Sequence, residues 1–341
     1  MKPVRLILSL SALFSGAAVA QEAEFVPDRC EILPLPEHQV AFQVDGKEAL
    51  RWHFGPEYPR PFFFPLPGPS GESLTRMGHP GAQNHDHHRS VWFAHQNVNG
   101  ADFWSDNTKA TVRQKFWYAY RDGKEESVMA VLLGWYDGEG KELMEQDLVA
   151  ALIPGDGGAN QIEIQSTFRP PANGEQVELG KTNFGFLAVR VAKTLSVHFG
   201  GGFITNSEGA VGEEAIFGKP ARWMDYSGPV VTGEGDSRHP VTEGITYYDH
   251  PANPRYPTRW HVRSDGWMGA SFCLEEGHTI KASHPLILRY LLETHSGGAD
   301  SGRSEATAAA FQARKPFLIQ KSERPHRQYD VWREGDEGSL R

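Results

Sequence analysis

The chain has only two cysteines in 341 residues, Cys30 and Cys273. Neither sits in a CxxC motif, so zinc ribbons and thiol redox pairs are excluded. In an oxidising compartment the two could pair, or they could remain two buried thiols. Positive charge is also scarce: 34 Lys and Arg stand against 43 Asp and Glu, for a net charge of −9. A nucleic-acid binder would need a basic face, and that partner class is not expected. No segment reaches about 18 uninterrupted apolar residues, so no membrane span is expected. The G-x-S-x-G, HExxH, GxxxxGK[ST] and GxGxxG motifs are absent, which removes the nucleophile elbow, the zincins, the phosphate loop and the dinucleotide fold.

What is present begins with a leader. Lys2 and Arg5 precede an apolar core from Leu6 to Phe14, and Ala18-Val19-Ala20 offers a small-residue cleavage site. Residues 1–20 therefore read as a signal peptide cleaved after Ala20, and the mature protein is expected to be periplasmic or secreted. The 36 Gly and 23 Pro are scattered along the chain, as in a protein of many short strands.

Period-2 alternation marks strands at Gln39–Val44 and Gln161–Phe168, and Asp-Gly turns at Asp122-Gly123 and Asp137-Gly138 punctuate a meander through residues 115–153. Further strands are predicted at 245–248, 259–263, 268–274 and 286–292. Asn183–Leu195 fits strand or helix equally. The aromatic run Arg60 to Pro67 is hemmed by prolines and cannot be helix, so it reads as a pocket wall or an edge strand. One helix is predicted, from Ser304 as cap to Arg314, stopped by Lys315-Pro316. The pattern predicts an all-β protein: one large antiparallel β-sandwich over residues 21–321, one short C-terminal helix, and a charged, flexible tail over 322–341.

The densest chemistry lies between His79 and Trp104, where five of 15 histidines fall within 17 residues (His79, His85, His87, His88, His95). Imidazoles beside carboxylates and an arginine suit metal ligation, proton transfer or anion recognition. His87 and His88 are the candidate acid/base core. His85, His87 and His95 are the candidate ligands of one divalent metal ion. Arg89, Trp92, Asn99 and Asp102 are expected to bind substrate. A Gly-rich, acidic stretch, residues 200–214, is either a surface loop or a loop carrying Glu208, Glu213 or Glu214 over a ligand, and Trp223 after it suits a sugar-stacking wall. A third motif, Asp249 to Arg263, holds Asp249, Arg255, His261 and Arg263. On a strand, His261 and Arg263 face the same side. Asp249 and His261 are expected to complete a proton path, with Arg255 and Arg263 as anchors for substrate. Glu293 and His295 form a weaker pair at a strand end.

Taken together, RPFFFPLPGPSG, HHRSVWFAHQNVNGADFW, FGKPARWMDYSG and DHPANPRYPTRWHVR resemble the bacterial family labelled PmoA-like, or methane oxygenase PmoA. Two positions depart from its pattern: Asp86 stands where the family commonly has proline, and Asp265-Gly266 where it usually has Tyr-Gly. The resemblance implies a sandwich like that of the galactose mutarotases and a link to carbohydrate catabolism. The expected function is an exported carbohydrate-active enzyme acting on a sugar or glycoside by lyase, hydrolase or epimerase chemistry, with or without a metal. The alternatives are a glycan-binding protein without turnover and the metal-dependent oxygenase that the family label suggests.

Overall fold

The computed structural model describes residues 26–79 and 85–336. The expected leader lies outside them. Among these residues strands dominate, and they form two eight-stranded sheets and two hairpin-sized ones. Sheet one contains, in order, β1 (Cys30–Leu35), β2 (Gln39–Val44), β3 (Lys47–His53), β4 (Phe62–Phe63), β5 (Val91–His95), β11 (Gly185–Arg190), β16 (Trp267–Ala270) and β15 (Trp260–Arg263). Sheet two runs β12 (Phe203–Asn206), β13 (Trp223–Thr232), β14 (His239–Asp249), β18 (Leu286–Ser296), β9 (Asn160–Arg169), β8 (Glu142–Pro154), β7 (Ser127–Tyr136) and β6 (Thr111–Arg121). The paired strands within both sheets are antiparallel.

Alternation decides which side chains fill the space between the sheets. From sheet one come Phe42, Leu50, Trp52, Phe93, Val189 and Met268; from sheet two come Met129, Val131, Trp135, Ile162, Ile164, Tyr247 and Leu292. They form one continuous core, the sandwich that the pattern predicts. Both cysteines are buried and unpaired. No helix among the described residues is long and apolar enough to cross a membrane.

Several local expectations are corrected. Phe62–Phe63 is not an edge strand, because β4 lies between β3 and β5. Asn183–Leu195 resolves into strand β11 followed by a turn of 3₁₀ helix at Lys193–Leu195. The helix α3 (Ser301–Ala313) starts a turn early, since the Asp300 carboxylate accepts from the Arg303 N–H at 3.0 Å. Ser304 is instead buried inside that helix.

The tail is not wholly loose: β19 (Phe317–Lys321) pairs with β20 (Tyr329–Arg333). The reason lies in β7 and β8, whose outer faces present Val128, Ala130, Val149 and Ala151, and Phe317 and Val331 cover them. Glu163 clamps the same region. It is fully buried, and its carboxylate takes Arg289 at 2.9 Å, Arg333 at 2.9 Å and Arg314 at 3.4 Å. Burial alone would raise the Glu163 pKa, and the arginines outweigh it and hold the group below its ordinary value.

Candidate functional site

The outer face of sheet one carries the second pattern. On β5, Val91, Phe93 and His95 point into the core and Trp92 and Ala94 point outward; on β16 Trp267 points outward, and on β11 Ala188 does. With Phe62 and Trp104 they form a second, smaller apolar cluster. Neighbouring β15 adds His261 and Arg263 on the same face, as the spacing predicts, while Trp260 and Val262 enter the core. Gly269 is needed here because a Cβ would lie 2.8 Å from the Trp267 ring.

Above this face the chain folds back in a bridge between Met77 and Arg89, with the Gly78 N–H donating to the His88 carbonyl at 2.8 Å. A turn closed by the His88 N–H on the His85 carbonyl, 3.1 Å, then gathers the imidazoles. Ring centroids lie 4.3 Å apart for His87 and His88, 5.3 Å for His85 and His88, and 5.8 Å for His85 and His87. His88 lies over Trp92, 5.4 Å away and nearly parallel. Trp104 packs against Trp267 at 5.5 Å and Phe184 at 5.2 Å.

These groups line a half-open cavity of about 290 Å³, with His85, His87 and His88 on one side, Trp104, Trp267 and Phe184 as the apolar wall, and Gln96, Ser105, Arg263 and Asp265 supplying polar atoms. Asp265 sits at the tip of the β15–β16 hairpin. Its carboxylate takes the fully buried Arg190 at 3.0 Å and the His79 Nε2 at 3.1 Å. Burial opposes ionisation of Asp265, and the Arg190 hydrogen bond and charge overcome it, so the pKa falls below the ordinary value.

The imidazoles are held neutral. Burial, assisted by the Arg60 charge, pulls His87 down to about 4. Burial drives His88 far below its ordinary value, lowers His85, and brings His261 to about 3. Among the described residues, the buried Nδ1 of His88, Nε1 of Trp92 and Nε2 of His261 have no hydrogen-bond partner. No group of three His, Cys, Asp or Glu side chains among the described residues is arranged to hold a metal ion.

The site residues expected from sequence divide accordingly. His85, His87, His88 and Arg263 meet in the cavity. His261 lies just behind it, 4.2 Å from the Trp267 ring, with Nδ1 held by the Asn183 carbonyl. Trp92 does not line the cavity and instead lies beneath the His88 ring. Arg89 is committed elsewhere, since it grips Asp106, which also binds the buried Arg60.

Other assignments are overturned. His95 cannot join His85 and His87 as a ligand because it faces the opposite side of β5, packed against Phe186 with Nδ1 accepting from the Asn97 N–H. Asp102 caps its own turn through the N–H groups of Trp104 and Ser105. Asn99 is also a turn residue, with φ of 49° and its side-chain oxygen on the Glu178 N–H.

Trp223 and Asp249 belong to sheet two. Trp223 donates to Glu305 of α3, and Asp249 accepts from Asn253 and from the Thr258 N–H. Arg255 bonds the carbonyls of Phe272, Glu276 and Gly277, which fixes a loop. Of the acidic loop, Glu213 reaches the site's rim, bonded to Arg263 at 2.9 Å. Glu293 and His295 lie on sheet two, buried at 8% and 3% exposure, with His295 on Asp225.

Asp265, Trp267, Phe184 and Arg190 were missed as site residues. The Asp265-Gly266 pair could have flagged a hairpin tip, and Trp267, two residues past Asp265, a ring on the same strand face.

A search of the curated proteins finds no match. The expected kinship with the PmoA-like proteins is not upheld, because the family model that matches is a different one and no PmoA model does. That match runs from residue 39 to residue 310, most of the chain and every wall of the cavity, so the protein belongs to DUF6807, a family of unknown function.

Proposed function

We propose that the cavity on sheet one is a carbohydrate site, and that the protein is an exported carbohydrate-active enzyme. The observation that carries this reading is the pairing of an aromatic wall, Trp104 and Trp267, with a facing set of neutral imidazoles and one ionised carboxylate in a cavity of about 290 Å³. A sugar ring has apolar C–H faces and a rim of hydroxyls, and this lining offers a partner to each. His87 carries a free-base imidazole down to about pH 4 and is the group for accepting a proton from a sugar carbon or hydroxyl. Asp265 accepts hydroxyl hydrogen bonds, and Arg263 holds an anionic or hydroxyl-rich end. Lyase, hydrolase and epimerase chemistry share this need for a base. Neutral imidazoles are also the form that a divalent ion binds.

A second reading, glycan binding without turnover, has its own support. His85, His87, His88 and His261 are all shifted away from neutrality, whereas a general base works best when its pKa lies near the working pH. One experiment separates the two. The protein from residue 21 onward, purified without a His tag and with its metal content measured, is screened against sugars and glycosides for product formation and for binding. Turnover that His87→Ala abolishes in a folded protein supports the enzyme. Binding without product supports the second reading, and no binding to any sugar or glycoside overturns both.

A further inference from the structure

The cavity does not end at Asp265. A second, shallower depression of about 330 Å³ adjoins it and shares Arg263 and Asp265 as walls. The two are also joined through the histidines, since His85 lines the first, His79 lines the second, and their rings lie 5.3 Å apart. The new lining adds Phe199 and His198 from α1 (Val197–Gly200), with Glu213 and Ser264 beside them. The His198 N–H donates to the Ser264 carbonyl at 2.8 Å, which ties this short helix to the hairpin that carries Asp265.

Phe199 is 36% exposed; the His79 and His198 rings meet it edge-on at 5.4 and 4.7 Å, and the Arg76 and Lys193 cations lie over its ring, 5.8 and 6.0 Å from the centroid. A large aromatic ring held in place by these contacts and still partly in water at the mouth of a polar cavity offers its exposed part to an apolar group.

We infer that the trough has two subsites, and that the ligand is a glycoside with its sugar in the histidine cavity and an apolar or aromatic aglycone on Phe199. This rests on the carbohydrate reading above. Asp265 then stands at the linkage, where its ionised carboxylate accepts hydrogen bonds from hydroxyls next to the glycosidic oxygen. Phe199 supplies the carbon surface for an apolar second unit, and the Glu213 carboxylate beside it, already paired with Arg263, disfavours an anionic one.

The test is calorimetric binding of methyl and phenyl glycosides of glucose, galactose and glucuronic acid to the wild-type protein and to Phe199→Ala. The variant truncates a partly exposed side chain outside the core and should fold. An aromatic contact of this kind predicts a phenyl glycoside about fivefold or more tighter than the methyl glycoside of the same sugar. Phe199→Ala should remove most of that preference and leave the methyl glycoside's affinity within about twofold. Equal affinity for the two series, or a preference that survives in Phe199→Ala, overturns the second subsite and leaves the sugar cavity standing. If neither series binds, the carbohydrate reading falls with it.

Discussion

Arg190 and Asp265 give the sharpest test of how the site is held together. Arg190 is fully buried on β11, and the carboxylate it reaches is that of Asp265, at 3.0 and 3.5 Å. Burial pulls the guanidinium below its ordinary pKa, so the cation is under desolvation stress even with its partner present. Asp265→Asn removes the compensating charge and leaves that cation in place. Breaking a buried pair from one side costs about 3–5 kcal/mol, and the 30% exposure of the Asp265 side chain brings the expectation to about 2–4 kcal/mol. Arg190→Met removes the buried charge instead and leaves a carboxylate that still has His79 and water, for a loss of about 1–2 kcal/mol. The double variant should be more stable than Asp265→Asn alone.

Equilibrium urea unfolding at pH 7, read from midpoints at constant slope, measures all three. The pH dependence gives a second reading. Because the folded pKa of Asp265 is depressed, its contribution is complete above the unfolded value of about 4 and is lost as pH falls through the lower folded value. That share of the acid destabilisation should be absent in Asp265→Asn. If Asp265→Asn costs no more than Arg190→Met, or the double variant is weaker than both singles, the desolvated cation is not what makes the hairpin tip matter.

Three further outcomes are expected. Glu163→Gln should lose about 3–5 kcal/mol in urea unfolding, because three arginines lose their shared buried carboxylate; a loss under about 1 kcal/mol would remove the clamp from the account. Gly269→Ala should cost about 1–3 kcal/mol by pressing on the Trp267 ring, and should weaken sugar binding more than Phe199→Ala weakens methyl glycosides. His87, followed by NMR, should show no protonation above about pH 5. Its folded value near 4 lies below the unfolded value of about 6.5, so it draws stability down as pH falls from 6.5 toward 4; a midpoint near 6.5 would show that the ring is not buried as described.

Strand positions were legible wherever one face is wet or a turn residue intervenes, as at Gln39–Val44, β9 and the meander β6 to β8. The C-terminal hairpin was not, because its charged residues pattern like disorder, and the apolar surface that Phe317 and Val331 cover belongs to strands far earlier in the chain, β7 and β8. Local sequence placed His85, His87 and His88 together correctly. It failed for His95, where the parity of a single strand, Trp92 outward and His95 inward, sends a neighbouring histidine into the core. It failed also for Trp223 and Asp249, which match the expected residue types but lie on the other sheet. Asp265 escaped because its importance comes from Arg190, 75 residues away, and nothing at either position announces the pair.

The cavity walls come from three stretches: residues 85–105, Phe184, and residues 263–267. None of these can form the site alone, so a ligand held by all three binds the folded chain and ignores the unfolded one. Any true ligand must therefore raise the melting temperature, and go on raising it with the logarithm of its concentration, with about 2.7 kcal/mol of added stability at a hundredfold excess over its Kd. The fold thus carries its own detector, and a thermal-shift survey of glycosides finds the ligand without an assay for any reaction.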